Sequence, residues 1–358
     1  MNNKRVENII KNMNNKGIKQ LIITSPSSIY YILGVWIEPG ERLMALYINS
    51  NGTIKFFANE LFALDSNLGV DLVLHKDGDD SIEPIASICE DNTVFGVDKT
   101  WPSHFLITLM EKKPNLKFVN ASPVIDEVRM IKDENEIGLL KEASIVNDKV
   151  MKDLINSLSK EKSEKTVADN MMSLYKKYGT EEFSFPPIVA YGANAASPHH
   201  DCDSTFLKKG DCIILDIGGK TKGYCSDMTR TVFYGEPSLE SRKVYNTVLE
   251  SNLAGIKAIK PGVKLCDIDK ASRDVIDNAG YGKYYTHRTG HNIGIEDHEY
   301  PSVGSTDEEI AKPGMVFSIE PGIYIPGKVG VRIEDLVLVT ETGCKVLNAY
   351  PKELKIIE

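Results

Sequence analysis

The sequence predicts two unlike domains: an α/β domain over residues 1–125 and an α+β domain over residues 126–358, the latter an antiparallel curved sheet backed by helices. Three observations predict this. Strand and helix signals alternate through the first third of the chain. Longer helical stretches are interspersed with β segments in the remainder. Within that remainder, two hairpins carrying acids repeat one pattern.

Residues 1–17 are polar with Val6, Ile9, Ile10 and Met13 at helical spacing, which predicts an amphipathic helix and not a signal peptide. Leu21-Ile22-Ile23-Thr24 reads as a strand ended by Ser25-Pro26. Residues 43–48, 54–57, 70–74 and 93–97 read as further strands, with helical segments between several of them. A domain boundary is expected near Ser122-Pro123. From Asp133 a long helix begins, with Ile137, Leu140, Ile145 and Val146 among its apolar positions. Asp133, Glu134 and Glu136 sit in its first turn, where the helix dipole favours acids. Further helices are predicted over 163–178, 240–258 and 266–279, the last two closed by Lys260-Pro261-Gly262 and Gly280.

Composition narrows the function. With 358 residues, 42% hydrophobic and 26% charged, the chain is an ordinary globular protein with room for two domains. A net charge of −9 argues against nucleic acid or an anionic membrane as the main partner. No apolar run is long enough to span a bilayer. Six cysteines without a CxxC pair point to reduced thiols and a cytoplasmic location. The first domain holds His75 and His104 but no cluster of acids and histidines, so a structural or substrate-gating role is expected there.

The chemistry concentrates in the repeated hairpins. The first runs Gly210-Asp211-Cys212-Ile213-Ile214-Leu215-Asp216, then turn residues, then Ser226-Asp227-Met228-Thr229-Arg230-Thr231. The second runs Gly314-Met315-Val316-Phe317-Ser318-Ile319-Glu320, then turn residues, then Arg332-Ile333-Glu334-Asp335-Leu336-Val337. Acids on buried strands are costly unless paired or bound to a cation. Four of them converging point to hard divalent metal, and to two ions. Five of seven histidines lie in two places, His199-His200 and the stretch from His287 to His298. Gly290 and Gly294 argue against a helical HExxH zinc site. A lone histidine is more often structural, but His287, His291 and His298 lie between two acid hairpins. Oxygen ligands with one imidazole suit manganese, cobalt or zinc. Singly, each signal has a bland reading: Glu320-Pro321-Gly322 as a turn, Asp227-Met228-Thr229 as a strand-end hydrogen-bonding pair, Asp335 as solvated charge. Spacing, order and residue type agree too well for all of them together.

On these residues the chain resembles the pita-bread metallopeptidases, and within them the Xaa-Pro branch of prolidases and aminopeptidases P. The resemblance covers nearly the whole chain, with a creatinase-like α/β N-terminal domain and a pita-bread α+β catalytic domain. Gly290-His291-Asn292-Ile293-Gly294 and Glu320-Pro321-Gly322 carry it most specifically. His287, four residues before His291, resembles the Xaa-Pro branch and not the methionine aminopeptidases. The resemblance implies two divalent ions, Mn2+ before Co2+ or Zn2+. Asp216 would chelate one, Asp227 and Glu334 would bridge both, and His291 with Glu320 would complete the other. It implies that His199 and His298 contact the substrate amide and carbonyl, that Glu320 shuttles the proton, that His287 acts in turnover without being a metal ligand, and that Tyr324 and the catalytic Arg332 stand behind the ligands. Proline-containing peptides are then the substrates, and a homodimer the expected assembly, with the first domain closing the active-site mouth.

Two forms of this activity compete. Some prolidases carry an arginine four residues after the position of His298, holding the substrate's C-terminal carboxylate; here that residue is Ser302. The sequence therefore favours an Xaa-Pro aminopeptidase over the alternative, an Xaa-Pro dipeptidase, although another arginine of this chain or a partner could substitute. A different class, metal-free creatine hydrolases and non-catalytic binding modules of the same fold, usually lacks several ligand residues, and none is missing here.

Overall fold

The apolar spacing of the first residues produces α1 (Asn3–Asn15), whose N-terminus is capped by the Asn2 side chain and which buries Val6, Ile9 and Met13. It opens the first of two units, Met1–Arg129 and Met130–Glu358, in a computed structural model that describes residues 1–358.

The first unit adds helices α2 (Pro26–Leu33), α3 (Glu83–Ile88), α4 (Ser103–Lys112) and α5 (Ser122–Arg129). Its strands are β1 (Gln20–Ile23), β2 (Met44–Asn49), β3 (Ile54–Asn59), β4 (Asp71–His75), β5 (Val94–Val97) and β6 (Lys117–Asn120). They form one mixed sheet in the order β4-β3-β2-β1-β5-β6. β1 and β2 are buried along their whole length, as their unbroken apolar runs require. Ser122 does not end the unit; it opens α5, which packs on α1, where Asn12 Nδ2 donates to Val124 O (2.9 Å) and Glu127 Oε2 (3.0 Å). Neither His75 nor His104 belongs to a group with metal-ligand spacing.

The second unit opens on α6 (Glu134–Ser157), capped by a reciprocal Asp133–Glu136 box. Ile145 falls between the buried positions of this helix and is 53% exposed. The other helices are α7 (Glu164–Lys177), α8 (Leu239–Ala258) and α9 (Leu265–Asn278). β7 (Ile188–Tyr191), β8 (Cys212–Ile217), β11 (Met228–Tyr234) and β19 (Ile356–Ile357) form one sheet, ordered β19-β11-β8-β7; β9 (Lys220–Thr221) and β10 (Tyr224–Cys225) are a small hairpin between β8 and β11. β12 (Gly290–Asn292), β13 (Glu299–Val303), β14 (Val316–Ile319), β17 (Asp335–Val339) and β18 (Cys344–Val346) form a second sheet, ordered β13-β12-β14-β17-β18; β15 (Gly322–Ile325) and β16 (Val329–Arg332) are its matching inner hairpin. α6 and α7 bury Val150, Met151, Leu154, Met171 and Tyr175 against the first sheet, and the second is covered by Ile256 of α8, Ile259 just past its end, and Leu265 and Ile268 of α9. No helix is long and apolar enough to cross a membrane.

Candidate metal and active site

Both acid hairpins deliver their carboxylates to one place. Asp216 lies opposite Thr229 across the β8–β11 pair, and Asp227 immediately precedes β11. In the second sheet Ile319 lies opposite Asp335, so Glu320 and Glu334 flank the matching end of the β14–β17 pair. Gly290 brings the histidine to them. A Cβ there would sit 1.9 Å from Ser318 O, so only glycine lets β12 approach β14 closely enough for the His291 amide to reach Ser318 Oγ (3.1 Å).

His291 Nδ1–H donates to Asn292 O (3.1 Å), which leaves its Nε2 lone pair aimed at the acids, 3.5 Å from Asp227 Oδ2 and 3.4 Å from Glu320 Oε1. Asp227, His291 and Glu334 are all buried, and each offers a ligand atom, all within 4.8 Å of one another. Three of the four acids are each held through one oxygen. Arg332 Nη2 donates to Asp216 Oδ2 (2.6 Å), Thr229 Oγ1 to Glu334 Oε2 (2.7 Å) and Ser318 Oγ to Glu320 Oε1 (3.2 Å). Asp216 Oδ1, Asp227 Oδ1 and Glu334 Oε1 are buried without any partner. Orphaned carboxylate oxygens at this density are expensive, and a divalent cation is the group whose chemistry fits them.

Electrostatics say the same. Burial, then repulsion from Glu334, Asp216 and Glu320, holds the Asp227 carboxyl well above the usual carboxylate range. Burial and then Glu320 and Asp216 do the same to Glu334. Glu320 is pushed up to about 7, chiefly by burial. His291 is driven well below the usual imidazole range by burial and then by His298, so it is a neutral donor of a lone pair. In the protein alone these acids keep protons that a cation would displace.

The cavity above the acids encloses about 520 Å³ and is lined by all nine chemistry-bearing residues expected there: His199, Asp216, Asp227, His287, His291, His298, Glu320, Arg332 and Glu334. His199 sits exposed at its rim, on the loop after β7. His298 is half-exposed and packs edge-on against His291, ring centroids 3.9 Å apart. Tyr324 stands behind: Arg332 Nη1 donates to its Oη (2.9 Å), and its hydroxyl meets His287 Nε2 (2.9 Å). His287 Nδ1–H donates to Arg288 O (2.7 Å), and burial followed by the Arg332 charge lowers the ring to about 4. It therefore accepts the Tyr324 proton as a neutral imidazole.

Several lining groups were not singled out from the sequence. Phe185, Pro186 and Ile188 form an apolar wall, and Arg288 and Asp297 add charge. Thr229 lay in the quoted motif, but it bonds Glu334 across the sheets and not its neighbour Asp227. Asp335 is not solvated charge; it is fully buried and paired with Arg230 at 2.7 Å.

The metallopeptidase family M24 profile matches residues 138–341, and the creatinase/prolidase N-terminal domain profile matches residues 5–131. An uncharacterized peptidase of Staphylococcus aureus (strain MRSA252) is 36% identical over 357 residues, 97% of this chain and 99% of the relative. A crystal structure of a dipeptidase from Pyrococcus horikoshii OT3 superposes with a TM-score of 0.93 at 36% identity, covering 99% of this chain and 100% of that one. A recombinant prolidase from Thermococcus sibiricus gives 0.95 at 34% identity, with complete coverage of both chains.

Proposed function

The chain belongs to metallopeptidase family M24, and from that premise we propose that it is a dinuclear Xaa-Pro dipeptidase, a prolidase. The observation that carries the metal reading is the group Asp227–His291–Glu334 with its orphaned carboxylate oxygens. Asp227 and Glu334 would bridge two ions, Asp216 would hold one, and His291 with Glu320 the other; manganese is the first choice for this oxygen-rich set. Ions held there would supply an activated water at neutral pH and a positive field on the scissile carbonyl.

The chain's own groups do the rest. An Xaa-Pro bond is a tertiary amide without an N–H, so recognition has to come through its carbonyl and its ring. The Phe185, Pro186 and Ile188 wall shelters the pyrrolidine ring. His199 and His298 donate to the carbonyl oxygen as it becomes tetrahedral. Glu320 takes a proton from the attacking water and hands it to the departing proline nitrogen.

The sequence leaned to the aminopeptidase because Ser302 lacks a cation. Two findings reverse that preference. The two similar structures named above, at 36% and 34% identity, are described as a dipeptidase and a prolidase, whereas an X-Pro aminopeptidase matches at 27%. Arg288, on the cavity wall, donates from Nη1 to Ser302 Oγ (2.8 Å), placing a cation at that position. Arg332 is already committed to Asp216, Thr229, Tyr324 and Pro198 O, so Arg288 is the group we assign to the substrate's terminal carboxylate. A cytoplasmic homodimer whose first unit limits substrate length completes the reading.

The test compares kcat/KM for Xaa-Pro and Xaa-Pro-Yaa on manganese-reconstituted protein. The dipeptide is expected to win by at least about 10-fold, and Arg288→Ala to erase most of that margin, the worth of one charged hydrogen bond. Faster cleavage of Xaa-Pro-Yaa by the intact enzyme overturns the dipeptidase reading.

A further inference from the structure

A second group of ligand-type side chains lies apart from the acids just described: Glu164, His200 and Asp203, with candidate ligand atoms within 4.8 Å of one another. Its chemistry is the opposite of theirs. The Glu164 side chain, on the first residue of α7, is fully buried. Its Oε1 accepts from the Tyr191 amide (2.7 Å) and Asn194 Nδ2 (3.0 Å); its Oε2 accepts from the Asp203 amide (3.1 Å) and meets His200 Nε2 at 2.7 Å. Asp203 is engaged as well, its Oδ1 by the Thr205 amide (2.6 Å) and its Oδ2 by Asn194 Nδ2 (3.4 Å). Four donors converge on one carboxylate, and no oxygen is left over for a cation.

All four donors belong to a single segment, residues 191–203, which leaves β7 and runs back toward β8. His199 stands within it, next to His200. On the cavity side the same segment is tied once more, by Arg332 Nη1 donating to Pro198 O (3.3 Å). The backbone bearing His199 is thus pinned between a buried anion on α7 and a cation of the centre. We propose that the Glu164–His200 pair holds His199 over the acids, so that Glu164 and His200 are positioning residues for turnover that touch neither substrate nor metal. The proposal rests on the reading of His199 as a substrate contact. Charge-assisted bonds are the strong ones, and a reacting group misplaced by about 1 Å can cost about 10²-fold in rate, so a remote anchor is enough to matter.

The experiment uses the full-length, manganese-loaded enzyme and four variants: His200→Leu, His200→Gln, His199→Ala and the His199→Ala/His200→Leu double. His200→Leu is expected to lower kcat about 10-fold or more, with KM and metal content little changed. His200→Gln, which keeps a donor toward Glu164, should recover most of that loss. In the His199→Ala background His200→Leu should cost nothing further, because the anchor has lost its cargo. Hydrogen exchange at the Tyr191 and Asp203 amides should quicken in His200→Leu and stay slow in His200→Gln. Equal losses in both backgrounds, or unchanged kcat and exchange in His200→Leu, overturn the proposal. So does the loss of a metal equivalent in His200→Leu, which would make the group a cation site. If the wild type cleaves no Xaa-Pro bond, the dipeptidase reading fails, and the exchange result judges the anchor on its own.

Discussion

The two halves of the catalytic unit, α6 to β11 and α8 to β18, follow one plan and differ in what they do with buried charge. Each sheet carries its acids on the same pair of adjacent strands, β8–β11 and β14–β17. In each, a buried asparagine of the long helix caps the end of the acid strand: Asn147 Nδ2 donates to Ile217 O (2.9 Å), Asn252 Nδ2 to Ile319 O (2.8 Å). In each, an acid on the shorter helix anchors a histidine-bearing segment. Glu164 gathers residues 191–203; Asp269 accepts from the Thr289 amide (3.2 Å) and Oγ1 (2.7 Å) and pairs with Arg273, which donates to His287 O (2.9 Å). The halves then exchange cations: Arg332 of the second pairs with Asp216 of the first, and Arg230 of the first with Asp335 of the second. Asp335 is doubly paired, by Arg230 (2.7 Å) and Lys352 (2.6 Å), whereas Asp216 keeps one oxygen without a partner. Two ion pairs built alike thus serve differently, and the lone pairs left over decide which one is chemistry.

The largest effect should come from removing an acid with lone pairs to spare. Asp227→Asn is expected to bring metal content from about two equivalents to below one, because a bridging carboxylate serves both ions, and to lower kcat/KM by more than about 10³-fold. Metal quantification after manganese reconstitution, with steady-state assays, checks it. Retention of two equivalents would show that Asp227 is no bridge.

The exchanged arginines sharpen the comparison next. Arg230→Met strips donors from Glu334 O, Thr229 O and Tyr350 O as well as Asp335, so it should destabilise the fold by about 3–5 kcal/mol whether or not metal is present. Arg332→Met leaves Asp216 uncompensated only until a cation arrives, so its stability loss should shrink on adding manganese while kcat stays low. Urea denaturation with chelator and with manganese separates them. Equal metal dependence in both variants would break the contrast drawn above.

The protonation of the acids gives a smaller, pH-dependent effect. Asp227, Glu334 and Glu320 are raised in the fold, Glu320 to about 7, so the stability they lend the metal-free protein is present at low pH and lost as pH rises through those values. His287 and His291 are lowered, so below their unfolded value of about 6.5 they oppose this; above it they fall silent. Chelated protein should therefore lose stability above about pH 6.5, by up to ~1.4 kcal/mol per pH unit for each carboxylate still protonated. Metal-loaded protein, its acids already ionised, should not. Thermal melts across pH 6 to 9 with and without chelator test this, and parallel curves would count against the site.

Much of this was legible in the sequence, for a physical reason. An acid ending an apolar strand is expensive, so Asp216, Asp227, Glu320 and Glu334 announce themselves, and Gly290 marks where His291 must pass close to a neighbouring strand. The expected strands and helices lie within a residue or two of those observed. What stayed hidden depends on contacts distant in sequence or on bland chemistry. Arg230 and Asp335 are 105 positions apart, and each alone reads as a strand cation or a surface acid. Glu164 looks like any acid opening a helix, and the Phe185-Pro186 wall has no chemical signature. The proposed dipeptidase preference stayed hidden because Arg288, from a neighbouring strand end, reaches Ser302 only in the fold.

The smallest predicted effect probes the relay that joins the halves to the histidines. Arg332 Nη1 donates to Tyr324 Oη, and Tyr324 donates in turn to His287 Nε2, a ring kept neutral by burial and by the Arg332 charge. Tyr324→Phe removes both bonds but keeps the ring that fills the space. Arg332 retains Asp216, Thr229 and Pro198 O, so metal binding should be unchanged. His287 keeps its bond to Arg288 O but loses its hydrogen bond to another side chain, a neutral one worth about 1 kcal/mol, so kcat should fall about 5-fold with KM nearly constant. His287→Ala in the same background should then cost less than it does alone, since the relay is already broken. Fully additive losses would mean that Tyr324 and His287 act separately, and that the second half supports its histidine through Asp269 and Arg273 alone.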